Sequence, residues 1–245
     1  MTQDFKILEG AFVVADAHYS HKRPELLAFL REIHSKKLSP SQLILMGDIF
    51  DALFGQIPMT HKKNEEAIEL INKISLEIEV IYLEGNHDFN LKKIFPHVKT
   101  FPISLQPLAC RFENKKVLLS HGDIEAPLGY RIYTAIIRSS IVLYLLRAVD
   151  FLTKHSVSKR LDLYLGKKDD CREFVGLEKF IYKRLWQKYK CDYFVEGHFH
   201  QNRTVEMGDF IYINLGAFAC NQRYFIVKSA QDIELLQEKN FSKGI

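Results

Sequence analysis

Five short motifs gather the residue types that bind hard and borderline metal ions: Asp16-Ala17-His18, Gly47-Asp48-Ile49-Phe50-Asp51, Gly85-Asn86-His87-Asp88, His121-Gly122-Asp123 and Gly197-His198-Phe199-His200. Singly, each is weak, because Asp-x-His is ordinary surface decoration and Gly-Asn-His-Asp is good turn chemistry. His-x-His after a strand carries more, since two imidazoles on one rigid edge are hard to place without a use. The combination points to a site. Each motif follows an apolar run, and in open α/β sheets the loops at the carboxyl ends of strands converge on a ligand-binding crevice. Imidazole, carboxylate and amide oxygen together suit Mn, Fe, Zn or Mg, and the absence of Cys disfavours a purely structural zinc. The chemistry such a set serves best is two-metal hydrolysis of a phosphoester.

The elements that must hold these motifs show in the hydrophobic periodicity. Phe12-Val13-Val14-Ala15, Leu43-Ile44-Leu45-Met46 and Val80-Ile81-Tyr82-Leu83 read as buried strands. Between them, residues 22–36 and 61–77 have helical spacing, with Leu26, Phe29, Leu30 and Ile33 on one apolar face and Ala67, Ile68, Ile71 and Ile74 on another. This alternation favours a parallel or mixed sheet with helices on its faces. Residues 108–120 read as a hairpin turning near Glu113-Asn114. Strand patterns resume at Tyr193-Phe194-Val195, then at 203–206 and 210–213 around a Gly208-Asp209 turn, at 223–228 and at 233–236. In between, residues 130–152 are apolar around most of a helix, and residues 172–188 form a second helical stretch. The longest uninterrupted apolar run there, residues 141–146, is far too short to span a bilayer. We expect one α/β domain built from residues 1–123 and 191–245, with a helical insertion over 124–190.

Bulk properties fit a globular protein of 245 residues, 47% hydrophobic and 26% charged. Asp4, Lys6 and Glu9 interrupt the first ten residues, which offer no apolar stretch of signal-peptide length, so a cytoplasmic location is expected. Cys110, Cys171, Cys191 and Cys220 are scattered without a Cys-x-x-Cys pair, and reduced thiols are expected. The net charge of +4 conceals an asymmetry, because residues 131–190 carry 14 Lys and Arg against six Asp and Glu. A basic segment in an otherwise acidic chain suits a phosphate or an anionic surface, or is simply a solvated helix face.

The five motifs, in this order over residues 16–200, resemble those of the calcineurin-like metallophosphoesterase superfamily. The resemblance implies a two-sheet αββα sandwich with a dinuclear centre. Carried over, Asp16, His18, Asp48 and His200 hold one metal, and Asp48, Asn86, His121 and His198 hold the other, with Asp48 shared. Two cations about 3.5–4 Å apart neutralise phosphoryl oxygens and bring the pKa of a water near neutrality. His87 is not needed as a ligand and is the catalytic candidate, able to stabilise the transition state or protonate the leaving oxygen. Asp51, Asp88 and Asp123 could orient ligand imidazoles.

The insertion must select the substrate. Ile132, Ile136, Leu143 and Leu146 lie on one side of its first helix and Tyr133, Ile137, Ile141 and Tyr144 on another, a wider apolar coverage than one core-facing stripe. Lys154, Lys159, Arg160, Lys167 and Lys168 stand nearby and could serve a phosphate or anionic lipid. A helical, basic, apolar-lined insertion at this place resembles the UDP-2,3-diacylglucosamine diphosphatases of lipid A synthesis, where it acts as a lid over acyl chains. That resemblance implies cleavage of the diphosphate to UMP and 2,3-diacylglucosamine 1-phosphate. It implies Mn²⁺ as the working metal, with Fe, Zn or Mg as alternatives. The Ser156-Val157-Ser158-Lys159 segment is similar to that family's polar lid loop, so Lys159 and Arg160, with Asn86, His87 and His198, are the expected substrate contacts. Many members carry Arg where this chain has His87, which keeps a phosphodiesterase or phosphatase of soluble nucleotides or phosphoproteins in view. Some relatives of this fold serve as scaffolds after losing metal-site residues; the complete motif set here argues for an enzyme. The partners expected are thus a lipid-linked nucleotide diphosphate and an anionic membrane surface, with the protein peripheral on the inner face of the cytoplasmic membrane. Nucleic acid is not expected, because the basic segment lacks exposed aromatics patterned for stacking bases. The oligomeric state stays open.

Overall fold

The structure, a computed structural model, describes residues 5–166, 169–229 and 235–243. Numbered in chain order, one six-stranded sheet runs β1 (Phe5–Lys6), β8 (Leu108–Phe112), β9 (Lys115–Ser120), β10 (Tyr193–Glu196), β12 (Ile211–Asn214) and β11 (Arg203–Glu206). The other runs β14 (Leu236–Asn240), β13 (Arg223–Val227), β2 (Phe12–Val14), β3 (Gln42–Leu45), β5 (Glu79–Leu83) and β7 (Lys99–Phe101). A short pair, β4 (Leu53–Phe54) and β6 (Asp88–Phe89), lies beside them. Strands β2, β3, β5 and β7 are mutually parallel, and α1 (Glu25–His34), α2 (Pro58–Lys63) and α3 (Glu65–Ser75) fall in the crossovers between β2 and β5.

Strand residues are apolar on both faces because both faces are covered. Val13, Ala15, Ile44, Met46, Ile81 and Leu83 meet Cys110, Val117, Leu119 and Val195 in the core between the sheets. The alternate residues Phe12, Val14, Leu43, Leu45, Val80 and Tyr82 pack outward on Leu26, Phe29, Leu30, Ala67 and Ile71 of α1 and α3. On the opposite side, Leu118, Phe194 and Tyr212 pack on Leu177, Ile181 and Leu185 of α7 (Leu177–Leu185). This is the expected αββα sandwich.

The helical stretches are more divided than their periodicity suggests. Residues 61–77 split at Asn64, whose side-chain amide donates to Ala52 O and Thr60 O, ending α2 and starting α3. Residues 130–152 split at Ser139, which is extended, into α4 (Leu128–Arg138) and α5 (Ser140–Leu152). Asn90 Nδ2 donates to Arg138 O and holds this corner against the core. The Ser156-Val157-Ser158-Lys159 segment is not a loop but the first turn of α6 (Ser156–Leu165). Ile233 of the last expected strand, and Lys167 and Lys168, lie outside the described residues. The expectation of four reduced thiols is overturned. Cys171 and Cys220, the latter on the short α8 (Phe218–Asn221), form a disulfide across 49 positions of sequence, whereas Cys110 and Cys191 keep their thiols. Sequence spacing could not bring these two together; the fold does, by seating the segment before α7 against α8. Among the described residues, no helix is long and apolar enough to cross a membrane.

Candidate metal centre

The ligand-type residues arrive at one rim of the sandwich from both sheets. Asp16 and His18 follow β2, Asp48 follows β3, Asn86 follows β5, His121 follows β9, and His198 and His200 follow β10. The turns that aim them are tight. Asp16, His18, Asp48, His198 and His200 all have positive φ, between 44° and 61°. Left-handed backbone at a non-glycine residue costs on the order of 1–3 kcal/mol, is tolerated where the surroundings over-determine it, and clusters at functional sites. Glycines make room between the loops. A Cβ on Gly85 would collide with the Asp48 carboxylate, and one on Gly197 with the Asp16 carboxylate.

The side chains converge into three overlapping groups: Asp16, His18 and His200; His18, Asp48 and His87; and Asp48, His121 and His198. Within each group the ligand atoms lie within 4.8 Å of one another. His200 Nε2 is 3.2 Å from Asp16 Oδ1, and His121 Nε2 is 3.5 Å from Asp48 Oδ2 and 3.2 Å from Asn86 Oδ1. His198 Nδ1 stands 3.2 Å from His121 Nε2. All seven expected ligands are thus brought together. His87 joins them, its ring centroid 5.0 Å from that of His18 and its backbone N–H donating to Asp48 Oδ1 at 2.8 Å.

Surrounding groups hold the rings in place. His121 Nδ1 bonds to Met46 O at 3.0 Å, His87 Nδ1 to Asp51 O at 2.9 Å, and His200 Nδ1 to Asp170 O. Donation from Nδ1 leaves Nε2 as the lone-pair atom in His121 and His200. Of the three acids expected to orient imidazoles, only Asp51 approaches one, its Oδ1 lying 3.4 Å from His18 Nδ1 without a hydrogen bond. Asp88 instead accepts from the backbone N–H groups of Asp48, Ile49, Phe50 and Gly85 and from Tyr82 Oη, because it turns under the loops rather than into the centre. Asp123 pairs with Arg138 at 3.1 Å.

Electrostatics favour a cation here. Burial alone would push the Asp16 and Asp48 carboxyls up, yet both are held below the usual carboxylate range, Asp16 chiefly by His200 and Asp48 chiefly by His121 and His87. Burial opposes protonation of His121, but Asp48, Asp123 and Asp16 raise its pKa. His198 moves the other way, to about 3, through burial and the neighbouring His121. Asp88 rises to about 7 through burial and the charge of Asp48. Both ring nitrogens of buried His18 lack a hydrogen-bond partner. Buried carboxylates demanding positive charge, with orphaned imidazole nitrogen among them, fit divalent metal ions, and the N/O donor set is one that Mn, Fe, Zn or Mg accept.

Two cavities flank the centre. One, of about 380 Å³, lies between the core and α4–α6, is lined by apolar side chains such as Phe54, Ile57, Phe89, Ile137 and Leu143, and reaches Asn86 and His87. The other, of about 600 Å³, reaches Tyr19 and Asp51 and has Lys159 in its wall. Of the remaining expected substrate contacts, Arg160 is exposed and His198 stays within the ligand cluster, and neither lines a cavity. Two arginines, one on α4 and one on α7, touch the ligand loops without any motif to announce them. Arg138 Nη2 donates to Gly85 O, and Arg184 Nη1 donates to Gly122 O.

Residues 11–202 match the family described as calcineurin-like phosphoesterase. A protein named UDP-2,3-diacylglucosamine hydrolase from Pseudomonas fluorescens (strain SBW25) is 25% identical over 204 residues, covering 80% of this chain and 82% of the relative. One of the same name from Psychromonas ingrahamii (strain DSM 17664 / CCUG 51855 / 37) is 26% identical over 208 residues, covering 79% and 82%. Among solved structures, Yfce, a phosphoesterase from E. coli, overlaps 89% of this chain and 88% of its own at 14% identity and a TM-score of 0.48.

Proposed function

The chain belongs to the calcineurin-like phosphoesterase family and is a phosphoester hydrolase, and from that membership we propose that it hydrolyses the diphosphate of UDP-2,3-diacylglucosamine to UMP and 2,3-diacylglucosamine 1-phosphate. The observation that carries this reading is the apolar cavity roofed by α4–α6, which ends at Asn86 and His87 on the metal centre. An acyl chain fills such a space; a soluble nucleotide or phosphopeptide leaves it without use. The names of the relatives support the same substrate.

Asp16, His18, Asp48 and His200 would hold one cation, and Asp48, Asn86, His121 and His198 the second. When bound, such cations neutralise phosphoryl charge and activate water; Mn²⁺ is the proposed occupant. His87, its ring plane fixed by the bond from Nδ1 to Asp51 O, would as the imidazolium present Nε2–H to the leaving oxygen, deliver that proton there and regain one from water. Asn86 and His198 would steady the phosphoryl group, and Lys159 the anionic remainder. Water oxygen forms the new bond to phosphorus, the bridging P–O bond breaks, and its electron pair leaves on the bridging oxygen, giving two phosphate monoesters. A substrate with acyl chains is drawn from a membrane surface. The exposed Ile141, Tyr144, Leu145, Phe151 and Leu152 of α5, with Arg147 and Lys154 beside them, suit an anionic one. The inner face of the cytoplasmic membrane is the proposed place.

The test is UMP release from UDP-2,3-diacylglucosamine by purified protein with Mn²⁺. Turnover supports the reading. No UMP, with brisk cleavage of bis-p-nitrophenyl phosphate by the same preparation, overturns it in favour of a soluble phosphodiester.

A further inference from the structure

The two cavities share a wall, formed by Ala52, Lys63, Asp162 and Leu165, yet differ in character. The larger one contains Lys22, from the loop between β2 and α1, and Lys159, from α6. Neither lysine makes a hydrogen bond or an ion pair among the described residues, whereas Lys63 in the same wall is tied to Asp162. The Lys22 ammonium lies against Gly166 at the end of α6, where a Cβ would stand 2.9 Å from Nζ. Core and insertion thus each contribute one exposed lysine without an ion-pair partner to a single space that Asp51 and Asp162 also line. That space also approaches the metal centre through residues other than those of the apolar cavity. Its floor is Tyr19 and Asp51, and Asp51 touches His18, whereas the apolar cavity meets Asn86 and His87.

We propose that this second cavity is a nucleotide-phosphate subsite, in which Lys22 and Lys159 clasp the phosphate of the nucleoside half while the apolar cavity holds the lipid half. The assignment deepens the proposed function and rests on it for the identity of the lipid half; the phosphate subsite stands on the cavity itself. A phosphorus at the metal centre then lies between an anionic arm reaching the two lysines and an apolar arm in the other cavity. Two ammonium groups drawn to one phosphate release counterions and are screened by salt, so affinity falls as ionic strength rises. Because Lys22 is on the core and Lys159 on the insertion, the bound phosphate also draws the insertion towards the core.

The test is isothermal titration of UMP into the Mn²⁺-loaded protein and its Lys22→Ala, Lys159→Ala and doubly substituted variants, with Mn²⁺ binding measured alongside to show an intact centre. Each single change is expected to weaken UMP about tenfold and the pair about a hundredfold, with a shallower salt dependence. Lys22→Arg and Lys159→Arg should recover most of the loss. UMP affinity unchanged in the double variant overturns the subsite. So does the alternative pattern, in which the lysines matter for sedimentation with phosphatidylglycerol vesicles and not for UMP. The two readings fail separately. Lysine-dependent UMP binding without turnover of the diacylglucosamine substrate leaves the subsite and removes the lipid. Turnover with lysine-independent UMP binding does the reverse.

Discussion

Asp48 is the residue on which the centre turns. It is buried, belongs to two of the three ligand groups, accepts the His87 backbone N–H, and keeps its charge against a desolvation that favours the neutral acid. Asp48→Asn keeps the shape and removes the charge. It is expected to lower kcat by about a thousandfold, equivalent to roughly 4 kcal/mol, and to reduce Mn²⁺ stoichiometry in titration below that of the parent. Full turnover by that variant would mean that the shared carboxylate is not part of the machinery. At this scale the sequence was highly legible. Asp16, His18, Asp48, Asn86, His121, His198 and His200 could be picked out because strand-end loops confine metal-binding residue types to short motifs. Asp88 is the exception, since its motif neighbours suggest an imidazole-directed role while its carboxylate is taken up by four backbone N–H groups and the Tyr82 hydroxyl. Arg138 and Arg184 were missed because an arginine on a helix looks like surface until the fold puts a loop carbonyl in front of it.

Elements transmit order from the helices to the centre, and two of them can be tested. Helix α6 begins without a cap of its own; Asp150 of α5 supplies one, accepting from Ser158 N at 2.9 Å, from Ser158 Oγ at 2.7 Å and facing His155 Nδ1 at 3.0 Å. A cap borrowed from eight residues upstream is invisible to local reading, which is why this turn looks like a polar loop in sequence. Asp150→Ala is expected to cost about 1 kcal/mol, seen as faster hydrogen exchange confined to α6 and a raised KM, because α6 walls both cavities. Ser158 and His155 hold the Asp150 carboxyl below its usual value against the opposing effect of burial. A depressed folded-state pKa means this stabilisation is complete above an unfolded value of about 3.9 and disappears as pH falls through the lower folded value. Exchange in α6 should therefore accelerate only in acid. Helix α7 braces the other side. Arg184 pairs with buried Glu196, donates to Gly122 O at 2.8 Å and Ile124 O at 3.1 Å, and lies 5.1 Å from the Phe199 ring centre. Arg184→Met strands a buried carboxylate and should destabilise by about 3–5 kcal/mol in urea denaturation. Adding Glu196→Gln should return part of that; no recovery would show that the arginine matters for packing alone.

At the scale of the whole molecule, the sandwich could be read from the strand–helix alternation, because strands buried on both faces need helices on both sides. The manner in which α4–α6 close on it could not. That depends on contacts such as Asn90 with Arg138 O and Lys63 with Asp162, and on the Cys171–Cys220 link, all between positions far apart in sequence. Closure leaves an unbalanced surface. Leu143 of α5 is buried towards the core, while Ile141, Leu145, Phe151 and Leu152 remain 63–79% exposed. Exposed apolar side chains of this size, grouped on one helix with Arg147 and Lys154, have the composition of an interfacial helix. Each basic residue near an anionic surface contributes about 1 kcal/mol, falling off within a Debye length, so docking should need both the apolar face and the charge. The protein is expected to sediment with vesicles containing phosphatidylglycerol, weakly with phosphatidylcholine alone, and less as salt is raised. Leu145→Glu combined with Phe151→Glu should abolish sedimentation while UMP still binds, since neither side chain lines a cavity. Turnover of a dispersed short-chain substrate should then persist while turnover of vesicle-borne substrate falls. Equal loss on both would place these residues in the fold of the insertion, and sedimentation indifferent to the two substitutions would remove α5 as the docking face.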